Sequence, residues 1–255
     1  MGLLRLKLAH LGLALTTVAV PAAAGAADFV ALHEVAPDIV QAMHYASATN
    51  FTGAVVPGYE GGECLLTRTT AKALAQVQAR LAPQGYTLVM FDCYRPTRAV
   101  AAFAAWAGRS DLEGKSAKAF FAPGIAADTL FAKGYIAHRS GHSRGGTVDV
   151  GLARTGAEIS IAPLPTTGTC LDEAATVGVL DMGTSYDCFS PRSWVGAKGL
   201  SKAQRGNRKV LADAMHAAGF EPYRKEWWHF SLPEGDAGEA FDFPARASDI
   251  PASGQ

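Results

Sequence analysis

Residues 86–92, YTLVMFD, limit most strictly how this chain can fold. The stretch is an apolar run bounded by Gly85 and by the CYRP that follows, and it is short enough to be a strand buried in a sheet. The sequence on either side reads as helix. In residues 68–82, RTTAKALAQVQARLA, Leu74, Val77 and Leu81 fall on one face, threonines open the segment, and Pro83 and Gly85 end it. Residues 96–108, PTRAVAAFAAWAG, open with proline, which suits the first turn of a helix. Further on, GTVDVGLAR reads as a strand of alternating character. Residues 201–219 read as an amphipathic helix with Ser201 as N-cap and Gly219 just past its end, and EWWHFSL, 226–232, as a last, aromatic strand. Residues 28–63 are irregular and rich in turn formers, and 108–137 are mixed. Residues 155–200 form a long turn-rich region of the kind that is either functional or disordered, and the tail from Pro233 reads as polar and loosely held. Helices and strands alternate without regular βαβ repetition. The expected class is α+β, a small, mainly antiparallel sheet with flanking helices.

The first 27 residues belong to a different category. MGLLRLK carries Arg5 and Lys7 and no acid, LAHLGLALTTVAV is apolar but short for a bilayer span, and Pro21 and AAAGAA follow. That order is the anatomy of a secretory signal peptide cleaved near Ala27, which leaves residues 28–255 as one domain in a periplasmic or secreted protein with no membrane anchor. The whole chain carries 23 basic and 23 acidic residues, so losing Arg5 and Lys7 leaves a formal charge of −2, with no basic stripe for nucleic acid or anionic lipid. Cys64, Cys93, Cys170 and Cys188 all lie in the exported part, where disulfides persist. Four cysteines allow three pairings. Locality favours Cys64–Cys93 with Cys170–Cys188, and the absence of a CxxC pair argues against a cysteine zinc site.

Three short motifs carry the chemistry. In SGHSRGGTVDV, 140–150, His142 and Asp149 are seven positions apart and would face opposite sides of a straight strand. Gly145 and Gly146 supply the freedom to turn between them, so the pair reads either as two metal ligands or as an ordinary polar turn. In EWWH, His229 is a candidate third ligand and Glu226 a candidate base to activate a metal-bound water. Glu226 and His229 are three apart, so sharing a site requires a twist, bulge or turn at the strand entrance. In FDCYRP, 91–96, Arg95 either stabilises an oxyanion or caps a buried carboxylate.

In this order and at these separations, FDCYRP, SGHSRGGTVDV and EWWHF resemble the zinc D,D-peptidase family, with the pattern SxHSRGxAxD followed by ExWWH. Within it they resemble the D-alanyl-D-alanine dipeptidases. The resemblance runs from about Tyr45 to Leu232, and Thr147 stands where alanine is usual. It implies one zinc ion per chain, held by His142, Asp149 and His229, with Glu226 as the base and Arg95 as the oxyanion partner. It further implies Ser140 and Asp187 as contacts to the dipeptide, Asp187 to its free amine, with Tyr59 as a lesser candidate for the substrate pocket. The implied activity is hydrolysis of D-Ala-D-Ala in cell-wall D-alanine metabolism. The alternatives are a D,D-carboxypeptidase acting on stem peptides and a zinc-stabilised binding module without catalysis. The module would lack Glu226 or Arg95.

Overall fold

The computed structural model describes residues 28–109, 111, 116–235 and 238–252, so the expected signal peptide, residues 1–27, lies outside the described residues. In chain order the elements are β1 (Phe29–Ala31), α1 (Leu32–Val35), β2 (Val40–Gln41), β3 (Leu65–Thr67), α2 (Arg68–Leu81), β4 (Tyr86–Asp92), α3 (Thr97–Ala107), α4 (Ser116–Phe121) and α5 (Leu130–Lys133). These are followed by β5 (Thr147–Arg154), β6 (Ser160–Ile161), β7 (Thr176–Val177), α6 (Lys202–His216), β8 (Glu221–Pro222) and β9 (His229–Ser231). The class is α+β, as the sequence pattern implies.

The central sheet runs β2-β4-β5-β9-β8 and is antiparallel except for the β2–β4 pair. β4 is the buried strand that its composition demands, and β5 beside it is covered on both faces except at Arg154. Leu88, Val89, Met90, Val148, Val150 and Leu152 are fully buried. At about 1.5–3 kcal/mol per large apolar side chain, this pair of strands anchors the core. The β4–β5 register runs from Tyr86↔Arg154 to Met90↔Val150 and then slips by one residue, so that Asp92, not Phe91, faces Asp149. A bulge of this kind re-aims a side chain at the end of a strand. On the other side of β5, Asp149 faces His229 of β9. Two aspartates and a histidine therefore lie in one row across three strands.

The helices form where the sequence places them. α2 is capped by Thr67, whose hydroxyl accepts from the Thr70 amide, and buries Leu74, Val77 and Leu81. α6 has a full capping box between Ser201 and Gln204. Both expected disulfides form, with Cα–Cα distances of 5.2 Å for Cys64–Cys93 and 5.4 Å for Cys170–Cys188. Closing loops of this size in the unfolded chain is worth about 3–4 kcal/mol each.

Two expectations need correction. The tail is not loosely held: Phe241 and Phe243 pack with Phe29 and Tyr94, and Phe243 stacks on Tyr94 at 4.3 Å. The tail backbone also bridges two loops, because the Phe241 amide donates to Ser143 O and the Phe241 carbonyl accepts from the Thr97 amide. The residues from Glu226 to Leu232 are not one strand either. β9 begins only at His229, and Glu226 precedes a turn at Trp227–Trp228. The aromatic composition that suggested a strand here reflects burial of both tryptophans instead. The long 155–200 region is held by the β6–β7 pair, by Cys170–Cys188 and by Arg208 of α6. The Arg208 guanidinium donates to the carbonyls of Met182, Arg192 and Trp194.

Candidate active site

Between Ser140 and Asp149 the chain makes the turn that the two glycines allow. Ser140 caps a 3₁₀ turn at Gly141–Arg144 by accepting from the His142 amide, and Gly145 follows with φ +77°, in the left-handed region. A Cβ at Gly145 would also lie 2.5 Å from the Phe29 ring, so glycine is required both by conformation and by space. The turn delivers His142 over the end of β5, and the turn at Trp227–Trp228 brings Glu226 to the same side as His229.

The imidazole of His142 donates through Nδ1 to the Cys93 carbonyl at 2.7 Å, which leaves Nε2 as a lone-pair donor. His142 Nε2 lies 3.4 Å from Asp149 Oδ1 and 3.4 Å from His229 Nδ1, and His229 Nδ1 lies 3.0 Å from Asp149 Oδ1. Ligand bonds of about 2.0–2.1 Å in a tetrahedral site require ligand atoms about 3.3 Å apart. The Asp149 carboxylate is used asymmetrically. Its Oδ2 accepts from Tyr186 at 3.1 Å, whereas Oδ1 is buried and accepts no hydrogen bond among the described residues. A buried carboxylate oxygen left in that way needs a cation. Donor type, spacing and the orphaned oxygen all fit a metal held by three protein ligands with one position open.

Glu226 Oε2 sits 3.4 Å from His229 Nδ1. Burial pushes its carboxyl up to about 7, against the opposing charge of His229. Burial also opposes ionisation of Asp149, but His142 and His229 outweigh it and hold that carboxyl far below the usual range. His229 is raised, because the close approach of Asp149 Oδ1 to its Nδ1 and the charges of Asp149 and Glu226 overcome burial. Arg95 is bedded against the rings of Tyr45 and Phe103, at 5.3 and 5.1 Å. Its Nε and Nη2 both donate to Asp92 Oδ2, at 2.9 and 2.7 Å, and Nη2 is 3.6 Å from Asp149. Arg95 thus caps a buried carboxylate and also faces the site.

These groups open into a cavity of about 290 Å³, at the low end for small-molecule sites, walled by Tyr45, Phe103, Tyr135 and Phe189 among others. Ser140 and Asp187 line it with Arg95, Asp149, Glu226 and His229. Asp187 adopts φ +58°, a conformation aspartate tolerates, and accepts from Tyr45 at 2.8 Å. Burial and the nearby Asp149 charge raise its carboxyl well above the ordinary range. A second cavity of similar size, about 300 Å³, contains none of these six residues.

Tyr59 does not reach the substrate cavity. It is fully buried, and its hydroxyl donates at 2.6 Å to Asp92 Oδ1, so it braces the carboxylate that holds Arg95. Sequence reasoning missed Asp92, Tyr45 and Tyr186 as parts of the site. Asp92 lay in plain view inside FDCYRP, three residues before Arg95, but its place opposite Asp149 is legible only once the β4–β5 register is known. Tyr186 precedes Asp187, and nothing in the local pattern separates it from a core tyrosine.

With this geometry in place, similarity to other proteins is informative. Residues 25–249 match the D-ala-D-ala dipeptidase peptidase family. The D-alanyl-D-alanine dipeptidase of Enterococcus faecalis is 37% identical over 188 residues, covering 74% of this chain and 83% of the relative. Those of Enterococcus faecium and Streptomyces coelicolor are 35% and 36% identical, each covering 98% of the relative and 86% and 85% of this chain. The chain belongs to the D-ala-D-ala dipeptidase family of metallopeptidases.

Proposed function

We propose that this protein hydrolyses free D-Ala-D-Ala to two D-alanines, with zinc held by His142, Asp149 and His229. The observation that carries the reading is the convergence of three ligand atoms at 3.0–3.4 Å, with Glu226 beside them in a small cavity. Zinc held by these three residues would supply Lewis acidity and would lower the pKa of a bound water to about 7. Glu226 takes the proton of the attacking water. As oxygen adds to the peptide carbonyl carbon, the developing oxyanion faces the Arg95 guanidinium, whose position Asp92 fixes in advance. Glu226 then returns the proton to the amide nitrogen as the C–N bond breaks. Its displacement to about 7 suits a group that must take and give a proton near neutral pH.

Asp187, with Tyr45 bonded to it, provides the acidic end of the cavity, where the substrate's ammonium group favours the ionised carboxylate, and Ser140 adds a polar contact on the cavity wall. This acidic end favours the dipeptide over stem peptides, whose corresponding nitrogen is acylated and uncharged. Hydrolysis of D-Ala-D-Ala compared with N-acetyl-D-Ala-D-Ala tests the choice, and faster release from the acylated compound would favour a D,D-carboxypeptidase. Export through residues 1–27 belongs to the same reading, supported by the two disulfides, which persist in oxidising compartments. A periplasmic or secreted enzyme of this kind recovers D-alanine from cell-wall fragments.

A further inference from the structure

The cavity is charged at more than one place, and the charges on its wall differ in how they are occupied. Asp149 and His229 belong to the ligand set, and Glu226 stands beside them. Arg95 gives Nε and Nη2 to Asp92 and has Asp149 beside it. Asp187 is the remaining acid, held by Tyr45. The remaining cation is Arg139, which makes no hydrogen bond or ion pair among the described residues. It stands next to Ser140, where this cavity meets a neighbouring one lined by Thr97, His138, Ser143 and Arg144.

We propose that Arg139 is the anchor for the substrate's C-terminal carboxylate, so that Asp187 and Arg139 take the two charged ends of a free dipeptide. The proposal rests on the dipeptidase reading and deepens it. A free dipeptide carries an ammonium group at one end and a carboxylate at the other, and each exchanges water for a charged partner on entering the cavity. Asp187 satisfies the first. Arg95 is a poor partner for the second, because its guanidinium is already committed to Asp92 and placed for the scissile carbonyl. Arg139 has its full set of donors to offer, in the planar fork that matches a carboxylate. A cation at the rim also attracts the carboxylate end first, while the buried carboxyl of Asp187 waits deeper in the wall. An amide or an ester at the C-terminus would find no anionic complement to make with Arg139.

The test uses the full mature chain loaded with zinc and two substrates, D-Ala-D-Ala and D-alanyl-D-alaninamide. Wild type should show a KM roughly 10–100-fold lower for the free carboxylate, the range expected for a charge-assisted pair. Arg139→Ala should raise KM for D-Ala-D-Ala by that factor, leave kcat within about threefold, and erase the discrimination against the amide. Arg139→Lys should restore part of it. Equal discrimination in wild type and Arg139→Ala overturns the proposal, as does a wild type that treats the two substrates alike. Failure of the dipeptidase reading itself looks different, because wild type would then cleave neither compound.

Discussion

Replacing Glu226 with Gln removes a charge that burial resists, and the consequence for stability is calculable. In protein stripped of metal, the folded state holds this carboxyl at about 7, against 4.5 for an unperturbed glutamate. At about 1.4 kcal/mol per pH unit, that displacement amounts to about 3 kcal/mol. The side chain is only 13% exposed, so solvent screening reduces the figure little. The sign follows from which state binds the proton. Below pH 4.5 the carboxyl is protonated in both folded and unfolded chains, and wild type and Glu226→Gln differ little on this account. Between pH 4.5 and 7 the folded protein retains a proton that the unfolded chain has released, so wild-type stability falls as pH rises. Above pH 7 the full cost is present. Urea unfolding in EDTA, with disulfides intact, should therefore show Glu226→Gln more stable by about 3 kcal/mol at pH 8 and roughly equal at pH 4. The corresponding rise in Tm at pH 8 is about 6–12 °C for a domain of this size. Zinc places a dication beside the carboxylate and should shrink the difference. A stability difference independent of pH, or a Gln variant less stable than wild type at pH 8, would refute the reasoning.

Other consequences are as direct. Asp187→Asn should raise KM for D-Ala-D-Ala roughly 10–100-fold while leaving N-acetyl-D-Ala-D-Ala hydrolysis unchanged, because only the free dipeptide presents an ammonium group to it. An equal effect on both substrates would remove Asp187 from amine recognition. Phe243→Ala, which deletes the ring stacked on Tyr94, should cost about 1–3 kcal/mol by urea unfolding. A cost below about 0.5 kcal/mol would mean that the tail merely lies on the surface.

The parts of the fold that local pattern determines were legible in the sequence. Apolar spacing and caps located α2 and α6 to within a few residues, and the composition of residues 86–92 marked β4 as buried. The ligand motifs were legible because the obstacles to convergence were local. Gly145 and Gly146 announced the bend between His142 and Asp149, and the three-residue spacing of Glu226 and His229 demanded the turn that Trp227–Trp228 supplies. What escaped depends on distant pairing. The bulge that sets Asp92 opposite Asp149 is a property of two strands whose aspartates stand 57 positions apart, so neither strand reveals it alone. Tyr59 was expected in the pocket on the resemblance alone, and its bond to Asp92, 33 positions on, is another long-range contact that neither segment reveals. The tail looked polar by count, but two phenylalanines placed against Phe29 and Tyr94 are enough to dock it.

The central claim is that one zinc site and one carboxylate base act together on a free dipeptide. It is tested most directly by measuring metal content and D-alanine release on the same preparations of wild type and Glu226→Ala. The expected result is one zinc per chain in both, with D-Ala-D-Ala hydrolysed by wild type and lost by at least 10²-fold in the variant, in line with removal of a positioned acid–base group. Normal turnover by Glu226→Ala, or a wild type that turns over D-Ala-D-Ala without bound metal, would contradict it.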